Sequence, residues 1–554
     1  MSRAIALMGL AGAFAIAVAG AARAQEVDNI EERLPQSDRP EAGDRDGAFP
    51  DALDADGRSE LGGDTRLGSF VLTAVDISGA TAISAKEFAP LYDRLLAQYV
   101  TVSDVTALAE AITAMYRKRG YFLSRAIIPA QNPASGVLKV EIVEGYLDAV
   151  TIEGDATPGV RKRLAELTKD RPLRISTLER KLALIGDLAG VKVSTSRIEP
   201  DPDNLARHLL VVRIEQDRFE ANLYADNRGT EDAGPLQTYV SGSVNSLLTT
   251  GDKLTGGVFF TPADPAELVL GQISYATPIG GSGMTLRMAA MTSFFDAGGP
   301  RAATEAESRT KRLNVSVAYP VIRRRRLTLV ASAGFEGRNV EEERLGAVRF
   351  NDQLRSLSAS ATLRAAHLGG VTALSGGVTQ GLDIFDASMQ GALSRADATA
   401  EFTKFNADFA RLQKIGANFS VYASVSGQYS LDPLLASEEF SLGGARYGRA
   451  YDYGEFKGDD GVATSVELRY ARQADIDFLK SYQVYGYYDF GAVWNDNVAA
   501  QFEMLNLSSA GAGLRLTFSN DLRVNAELVK PLDGEPVTQG DQSWRGFFNV
   551  SKSF

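Results

Sequence analysis

The chain has 554 residues, of which 44% are hydrophobic and 23% charged, and its formal net charge is −12; several domains are expected at this length. It has no cysteine and only two histidines, His208 and His367, which excludes disulfides, cysteine nucleophiles and cysteine-ligated metals or haems and disfavours a histidine metal site. The acidic balance argues against a nucleic-acid partner. Neither GxxxxGK(S/T) nor GxSxG occurs. The sequence therefore lacks the phosphate-binding loop of P-loop nucleotide hydrolases and the nucleophile motif of the commonest serine hydrolases.

The first 24 residues have the three parts of a secretory signal peptide. Arg3 precedes the uncharged run 4–22, and Ala22-Arg23-Ala24 places small residues where signal peptidase reads them, so we expect cleavage before Gln25. The alternative is a retained membrane helix, because the run is long enough to span a bilayer. No second apolar segment of that length follows, and the exported chain is expected in the periplasm, on the cell surface or as an outer-membrane barrel.

Residues 25–69 read as a disordered acidic linker, rich in Asp, Glu, Pro and Gly and nearly free of aromatic residues. Within it, residues 27–34 allow one short helix, which Pro35 would end. Whether this helix plugs a pore is left open by the sequence.

Two tandem units of the order β-α-α-β-β follow, at residues 70–146 and 147–217. In the first, strands are predicted at 70–77, 122–128 and 136–143 and helices at 85–98 and 102–119. In the second, strands are predicted at 147–153, 191–199 and 208–216 and helices at 160–168 and 175–186. Such small sheets do not suit an enzyme core, but they offer exposed edges.

From residue 218 to 554 the pattern changes to short strands with alternating apolar and polar residues, as at 219–226, 313–319, 327–335 and 421–429. Short turns alternate with long polar loops at 296–309, 383–395 and 432–460. This pattern predicts a 16-stranded transmembrane antiparallel β-barrel whose short turns face the periplasm. The alternative, a soluble β-sandwich, is disfavoured by the last strand, which alternates up to the terminal Phe554. Phe547 and Lys552 depart from that alternation.

The stretch 434–461 contains LLASEEFSLGG, RYGRAY and GDDG. It is similar to the sixth extracellular loop of the two-partner secretion transporters, the TpsB family of the FhaC, ShlB and HecB type. Further matches are DNRG at 226–229, YPVIR at 319–323 and YDFG at 488–491, and parts of 116–145 resemble the first of the family's two POTRA domains. The resemblance covers residues 70–554. It implies a mainly β fold, with two α+β POTRA domains in the periplasm and a barrel in the outer membrane.

The resemblance also implies a site inside the barrel. In the family, the tip of loop six folds into the lumen, where its arginine meets an aspartate on the wall; the matching positions are Arg449, with Tyr451 beside it, and Asp489. Alternation independently places Asp489 on the more polar face of its strand. The alternative is two solvated surface charges. The loop-six framework of the resemblance comprises Gly443, Gly444, Gly458, Asp459 and Gly461.

The sequence departs from the family at Gly448 and Ala450, where Val and Gly are usual, and this questions the geometry of the turn at the tip. A run of four arginines at 323–326 is predicted to be a periplasmic turn, either simply solvated or in contact with lipid or a partner.

The function implied is secretion of a large β-rich exoprotein of the adhesin or haemolysin type, without nucleotide hydrolysis, enzyme activity, cofactor or metal. The exoprotein would arrive unfolded and be captured by strand addition to the POTRA domains. Outer-membrane lipid and the BAM insertion machinery are the other expected partners. The alternatives are an assembly factor of the BAM or TAM type, a passive porin and an outer-membrane enzyme.

Overall fold

The computed structural model describes Arg33 and residues 69–495, 504–537 and 539–554. The predicted signal peptide lies outside the described residues, as do the linker and the short helix at 27–34 except for Arg33 and Ser69. Within the described part of the chain, no helix is both long enough and apolar enough to cross a membrane.

The first α+β unit has the predicted element order. Its elements are β1 (Phe70–Val71), β2 (Ala74–Ser78), α1 (Ala85–Tyr92), β3 (Tyr99–Val100), α2 (Val102–Lys118), β4 (Arg125–Ile127) and β5 (Val137–Val143). The sheet order is β2-β5-β4, with β2 parallel to β5. The predicted strand 70–77 is wrong in one respect: the Leu72 N–H donates to the Gln98 carbonyl and the Thr73 N–H to that of Gly136. The chain therefore crosses from the small β1-β3 sheet to the main sheet.

The second α+β unit repeats this plan. Its elements are β6 (Tyr146–Gly154), α3 (Pro158–Ala165), α4 (Ile175–Gly186), β7 (Val191–Pro200) and β8 (Arg207–Gln216), and the sheet order is β6-β8-β7. Apolar side chains from α3, α4 and the sheet form its core, among them Leu164, Leu182 and Val212. Both β6 and β7 are edge strands, and β7 has ten residues. His208 lies at the start of β8, where Nδ1 is 3.3 Å from the Ala206 carbonyl oxygen.

Sixteen antiparallel strands close into a barrel, as the alternation predicts. These are β9 (Phe219–Asp226), β10 (Gln237–Asn245), β11 (Lys253–Phe260), β12 (Leu268–Ile279), β13 (Met284–Asp296), β14 (Ala306–Arg323), β15 (Leu327–Arg344), β16 (Ala347–His367), β17 (Gly370–Gly381), β18 (Thr403–Lys414), β19 (Phe419–Ser430), β22 (Asp460–Ile476), β23 (Leu479–Trp494), β24 (Met504–Phe518), β25 (Leu522–Pro531) and β26 (Arg545–Ser553), with β20 (Phe440–Leu442) and β21 (Phe456–Gly458) inserted in loop six. Exposed apolar side chains such as Leu313, Leu374 and Val484 cover the outside, as a lipid-facing wall requires.

The barrel closes where β9 pairs with β26, which we call the seam. The paired residues run from Asp226–Asn549 to Asn222–Ser553, five pairs in all. The Phe554 N–H extends the seam by donating to the Ala221 carbonyl at 2.9 Å. The two residues that break the alternation of β26 have physical reasons: the Phe547 ring lies 4.0 Å from the Arg228 guanidinium carbon, and the Lys552 ammonium lies 5.2 Å from the Phe554 ring.

Candidate functional site

Loop six forms a hairpin that enters the barrel. It leaves β19, pairs β20 with β21 in antiparallel register, and returns as β22. Between the two short strands, Gly443 and Gly444 both take positive φ, at 103° and 81°. A Cβ on Gly443 would lie 1.9 Å from the Asp452 carbonyl oxygen, so the two arms of the tip, residues 443–455, approach too closely for any other residue.

Arg449, at the tip, is 1% exposed and fully engaged with the lumen wall. Its Nε and Nη2 donate to the two oxygens of Asp489, at 2.9 and 2.8 Å. Nη1 donates to Oε1 of Glu467 at 2.7 Å, and Nη2 also reaches the Ser465 hydroxyl at 3.0 Å. The Tyr487 ring centre lies 3.2 Å from the guanidinium carbon. This forked geometry suits a guanidinium and not an ammonium.

Glu467 was not among the predicted site residues. Its second oxygen accepts from Nε of Arg469, on the same strand, at 2.7 Å and from Nη1 of Arg515, on β24, at 3.3 Å, so it links the tip to β22 and β24. Alternation along β22 places Ser465, Glu467 and Arg469 on one face, and this was the available signal. Ser465 on β22 lies directly opposite Asp489 on β23. These two wall residues, which both contact Arg449, therefore lie at the same level of the lumen.

The tip is also tied to both sides of the seam. Arg228, just after β9, donates from Nη1 to the Arg449 carbonyl at 3.0 Å and from Nη2 to Glu527 at 2.7 Å. Arg545, the first residue of β26, donates to the Ala450 carbonyl at 2.7 Å and to Asp452 at 2.6 Å. Two consecutive carbonyls of loop six are therefore held by arginines from opposite sides of the seam.

The two departures from the family pattern form an ordinary tight turn. Gly448 takes the left-handed conformation, with φ of 70°, and its carbonyl accepts the Tyr451 N–H at 2.9 Å. Ala450 is fully buried and is not in the left-handed region. The Tyr451 hydroxyl donates to the carbonyls of Ser508, at 3.1 Å, and Asp533.

The remaining framework residues hold the base of loop six. Asp459 accepts from Nη1 of Arg395 at 2.6 Å, and the same nitrogen donates to Glu439 at 2.9 Å, which joins loop six to the loop between β17 and β18. Gly458 and Gly461 lie where the loop meets the wall: a Cβ on Gly461 would lie 2.2 Å from the Phe440 ring, and one on Gly458 would lie 2.9 Å from the Trp494 carbonyl oxygen.

A cavity of about 1180 Å³ remains in the lumen below the tip, lined by Tyr447, Gln483 and Asn549 among others. Arg33 also lines it, with its guanidinium carbon 5.6 Å from the ring centre of Tyr453 in loop six. Arg33, which precedes the α+β units in the chain, therefore reaches the same space as the loop. Over residues 69–495 and the other described positions, no group of three or more Asp, Glu or His side chains is placed to hold a metal ion.

A closed 16-stranded barrel that follows two α+β units and contains its own folded-in loop defines an outer-membrane transporter of the POTRA-barrel class. The family model of haemolysin secretion/activation proteins ShlB/FhaC/HecB matches residues 207–516, more than half of the chain, and the ShlB-type POTRA domain matches residues 70–145. The chain belongs to this haemolysin secretion/activation family.

Two curated relatives match most of the chain. The heme/hemopexin transporter protein HuxB of Haemophilus influenzae (strain 86-028NP) is 22% identical over 487 residues, 84% of this chain and 84% of that protein. The outer membrane transporter CdiB of Escherichia coli O6:K15:H31 is 24% identical over 419 residues, 73% of this chain and 69% of that protein.

Solved structures share the fold. CdiB from Escherichia coli superposes with a TM-score of 0.75 at 20% identity, over 89% of this chain and 92% of that one. CdiB from Acinetobacter baumannii gives 0.66 at 15% identity, over 95% and 96%. The predictions of a two-partner secretion transporter, located in the outer membrane with periplasmic POTRA domains, are confirmed, and they are favoured over the assembly-factor alternative.

Proposed function

We propose that this chain secretes one large β-rich exoprotein of the adhesin or haemolysin type, and that withdrawal of loop six from the lumen opens its path. The observation that carries the proposal is the occupied lumen: Arg449 is buried among Asp489, Glu467 and Ser465. A passive porin needs an open channel, whereas this barrel holds a hairpin of its own chain inside. Folding of the exoprotein outside the cell would bias its movement outward, so neither nucleotide hydrolysis nor other catalysis by this chain is required.

Capture of the unfolded exoprotein is assigned to the edge of β7. This strand lies at one side of the β6-β8-β7 sheet, and its backbone groups on that side are available to an added strand of varied sequence. Among the edge strands of the two three-stranded sheets it is the longest, with ten residues against five in β2, three in β4 and nine in β6. The BAM machinery is proposed to insert the barrel after recognising its terminal aromatic strand. Outer-membrane lipid is proposed to surround the inserted barrel.

We call loop six, held in the lumen by Arg449, the gate. Its test is a double-mutant cycle on Arg449 and Asp489, measured as secretion rate per inserted barrel. Arg449→Ala leaves two buried carboxylates without their shared partner, a loss of about 3–5 kcal/mol for breaking a buried pair. Asp489→Ala leaves Arg449 with Glu467 and Ser465, so its effect should be smaller. The double variant should be less impaired than the product of the single effects. Arg449→Lys should also secrete poorly, because an ammonium cannot make the forked contact.

Arg446 and Asp408 supply the matched control. This pair lies on the same loop and wall at 2.9 Å, but its side chains are 51% and 37% exposed, so its coupling should be within about 1 kcal/mol. Additive effects of Arg449→Ala and Asp489→Ala, or equal coupling in both cycles, would contradict the gate.

A further inference from the structure

A basic cleft lies where the second α+β unit meets the outside of the barrel. One side is α4, and the other is formed by the periplasmic end of β14, the turn after it and the turn between β12 and β13. The cleft is lined by Ser176, Thr177, Arg180, Lys181, Leu184, Gly281, Tyr319, Val321, Ile322, Arg323 and Arg324. Four of these are cations, and none of these described lining residues is acidic. In a chain with a net charge of −12, such a local excess of positive charge has to be explained.

Two of the cations hold the cleft together. Arg180 donates from Nη2 to the carbonyls of Pro320, at 2.9 Å, and Ser282, at 3.2 Å. Arg323 makes a two-pronged contact with Asp187, at 2.7 Å for each bond. The charge of Arg323 is therefore neutralised, whereas Arg180 contacts only neutral carbonyls and keeps its full positive charge in the cleft.

The other cations lack a comparable match. Lys181 donates to the Glu166 carbonyl at 3.3 Å and lies 3.6 Å from the Glu166 carboxylate, a distance too long for a strong ion pair, and Arg324 is exposed. Glu179 is the carboxylate on α4 nearest to Arg324 and Arg325; burial raises the pKa of Glu179, and the two guanidiniums partly oppose that rise. Even with Glu179, Glu166 and Asp187 counted, the four cations of the cleft leave an excess of positive charge.

The height of the cleft relative to the membrane identifies its ligand. Tyr319 and Val321 point outward from β14, with 39% and 46% of their surfaces exposed, in line with the exposed Leu313 and Val315 higher on the same strand. Outward apolar residues of a transmembrane barrel face acyl chains, and aromatic residues mark the boundary with the headgroups. The cleft therefore opens at the headgroup level of the periplasmic leaflet, directly below a lipid-facing strip.

We propose that this cleft binds the phosphate of an anionic phospholipid of the periplasmic leaflet, with the acyl chains along the outer face of β14. Arg180, Lys181 and Arg324 would surround the phosphate with charged donors, as phosphate recognition requires. Bound lipid would then bridge α4 and β14 and add to the contact between the α+β units and the barrel. The run of arginines at 323–326 thereby receives two roles, Arg323 in docking and Arg324 in lipid binding.

The experiment uses the full-length purified protein in mixed micelles, with native mass spectrometry to count bound lipids. The probes are phosphatidylglycerol, which is anionic, and phosphatidylethanolamine, which is zwitterionic, at equal mole fraction. The test variant is Lys181→Gln with Arg324→Gln, neither of which takes part in the Arg323–Asp187 contact. The control, Lys86→Gln with Arg94→Gln, removes the same charges from exposed positions on the first α+β unit.

The parent and the control should retain phosphatidylglycerol in preference to phosphatidylethanolamine. The test variant should lose that preference by roughly 25-fold, because it lacks two cations and each cation near an anionic lipid contributes roughly fivefold in affinity. Arg324→Gln alone gives an intermediate loss and serves if the double variant folds poorly, which heat-modifiable migration reports. Equal retention by the test variant and the control would overturn the proposal. Displacement of the lipid by an equal concentration of inorganic phosphate would also overturn it, since the site would then take free phosphate. The measurement needs no exoprotein and is independent of secretion.

Discussion

At the residue scale, the tip of loop six shows why this chain tolerates Ala450 at a position where the family usually has glycine. The left-handed residue is Gly448, directly before Arg449, and Ala450 fills a closed space without taking positive φ. The concern raised by the sequence, that an alanine at position 450 disturbs the turn, does not apply because the turn does not ask that residue for a left-handed φ.

Exchanging the two small residues one at a time tests this assignment. Gly448→Ala should impair secretion, because φ of 70° costs an alanine about 1 kcal/mol and its Cβ would lie 2.4 Å from Cδ1 of Leu507. Ala450→Gly removes only one buried methyl and should cost about 1 kcal/mol of loop docking. Secretion rate and protease access to loop six in intact cells provide the readout. A stronger defect in Ala450→Gly than in Gly448→Ala would place the turn elsewhere.

The sequence could predict part of this site. Arg449 and Asp489 were identified by the resemblance of the loop motif to the family, and the alternation of β23 agreed with a lumenal Asp489. Glu467, Arg228 and Arg545 were not. Alternation along β22 gives the face of Glu467 but not its partner, and the roles of Arg228 and Arg545 depend on which strands the tip contacts after the barrel has closed. Arg395, which contacts Asp459, lies in the loop between β17 and β18. The conformation of that loop depends on its contacts with loop six, which the sequence does not reveal.

At the element scale, the barrel strands were predictable because a period of two persists over long segments, up to the 21 residues of β16. The strand predicted at 70–77 failed in its middle, since Leu72 and Thr73 bond to different sheets. The inward positions are Phe70 and Leu72 before the break and Val75 and Ile77 after it, so the alternation shifts by one residue. Apolar residues at the intervening positions Val71 and Ala74 hide this shift in the sequence.

The β7 edge gives a prediction at this scale. Because the chain has no cysteine, a single Thr195→Cys on β7 can be oxidatively cross-linked to cysteines placed along the exoprotein's amino-terminal region. We expect cross-links at alternate exoprotein positions, as an added strand presents every second side chain to one face. Ser103→Cys, exposed at the start of α2, is the matched control and should give little product. Equal yields at the two positions would mean that β7 is not the capture edge.

The last strand gives a second prediction. Deleting Phe554 removes the backbone bonds with Ala221 at the end of the seam and an aromatic side chain that is 73% exposed. Outer-membrane yield of folded barrel should fall several-fold, while the export of the chain to the periplasm is unchanged. Cell fractionation measures both, and Phe554→Tyr, which keeps the aromatic ring, should assemble like the parent. Normal assembly of the deletion variant would argue against recognition of Phe554 by the insertion machinery.

At the scale of the whole molecule, the second α+β unit is fixed to the barrel by side chains that the sequence left ambiguous. The arginines at 323–326 were equally compatible with a solvated turn and with a contact. In the structure Arg323 contacts Asp187, and Arg180 donates to the carbonyls of Pro320 in β14 and of Ser282. Arg163 adds a bond to the Gly280 carbonyl at 3.0 Å. Charge alone could not decide between these options, because the partner carboxylate lies 136 positions away.

Removing residues 70–216 should separate membrane insertion of the barrel from secretion of the exoprotein. The barrel has its own closed sheet and should still insert and show heat-modifiable migration, whereas secretion should fall to background because the capture strand is gone. Arg323→Ala, which only loosens the contact with Asp187, is the milder companion and should retain part of the secretion. Full secretion by the deletion variant would refute the proposed role of the α+β units.

The arginines on either side of the seam have a thermodynamic consequence. Because Arg228 and Arg545 hold adjacent carbonyls of the loop-six tip, parting β9 from β26 pulls those anchors in different directions, and withdrawing the tip removes the bridge between them. Barrel circumference and loop position are therefore linked variables, and each must shift the equilibrium of the other by the same free energy. A ligand that extracts the loop lowers the work of widening the barrel, and a wide exoprotein segment in the lumen favours the extracted loop.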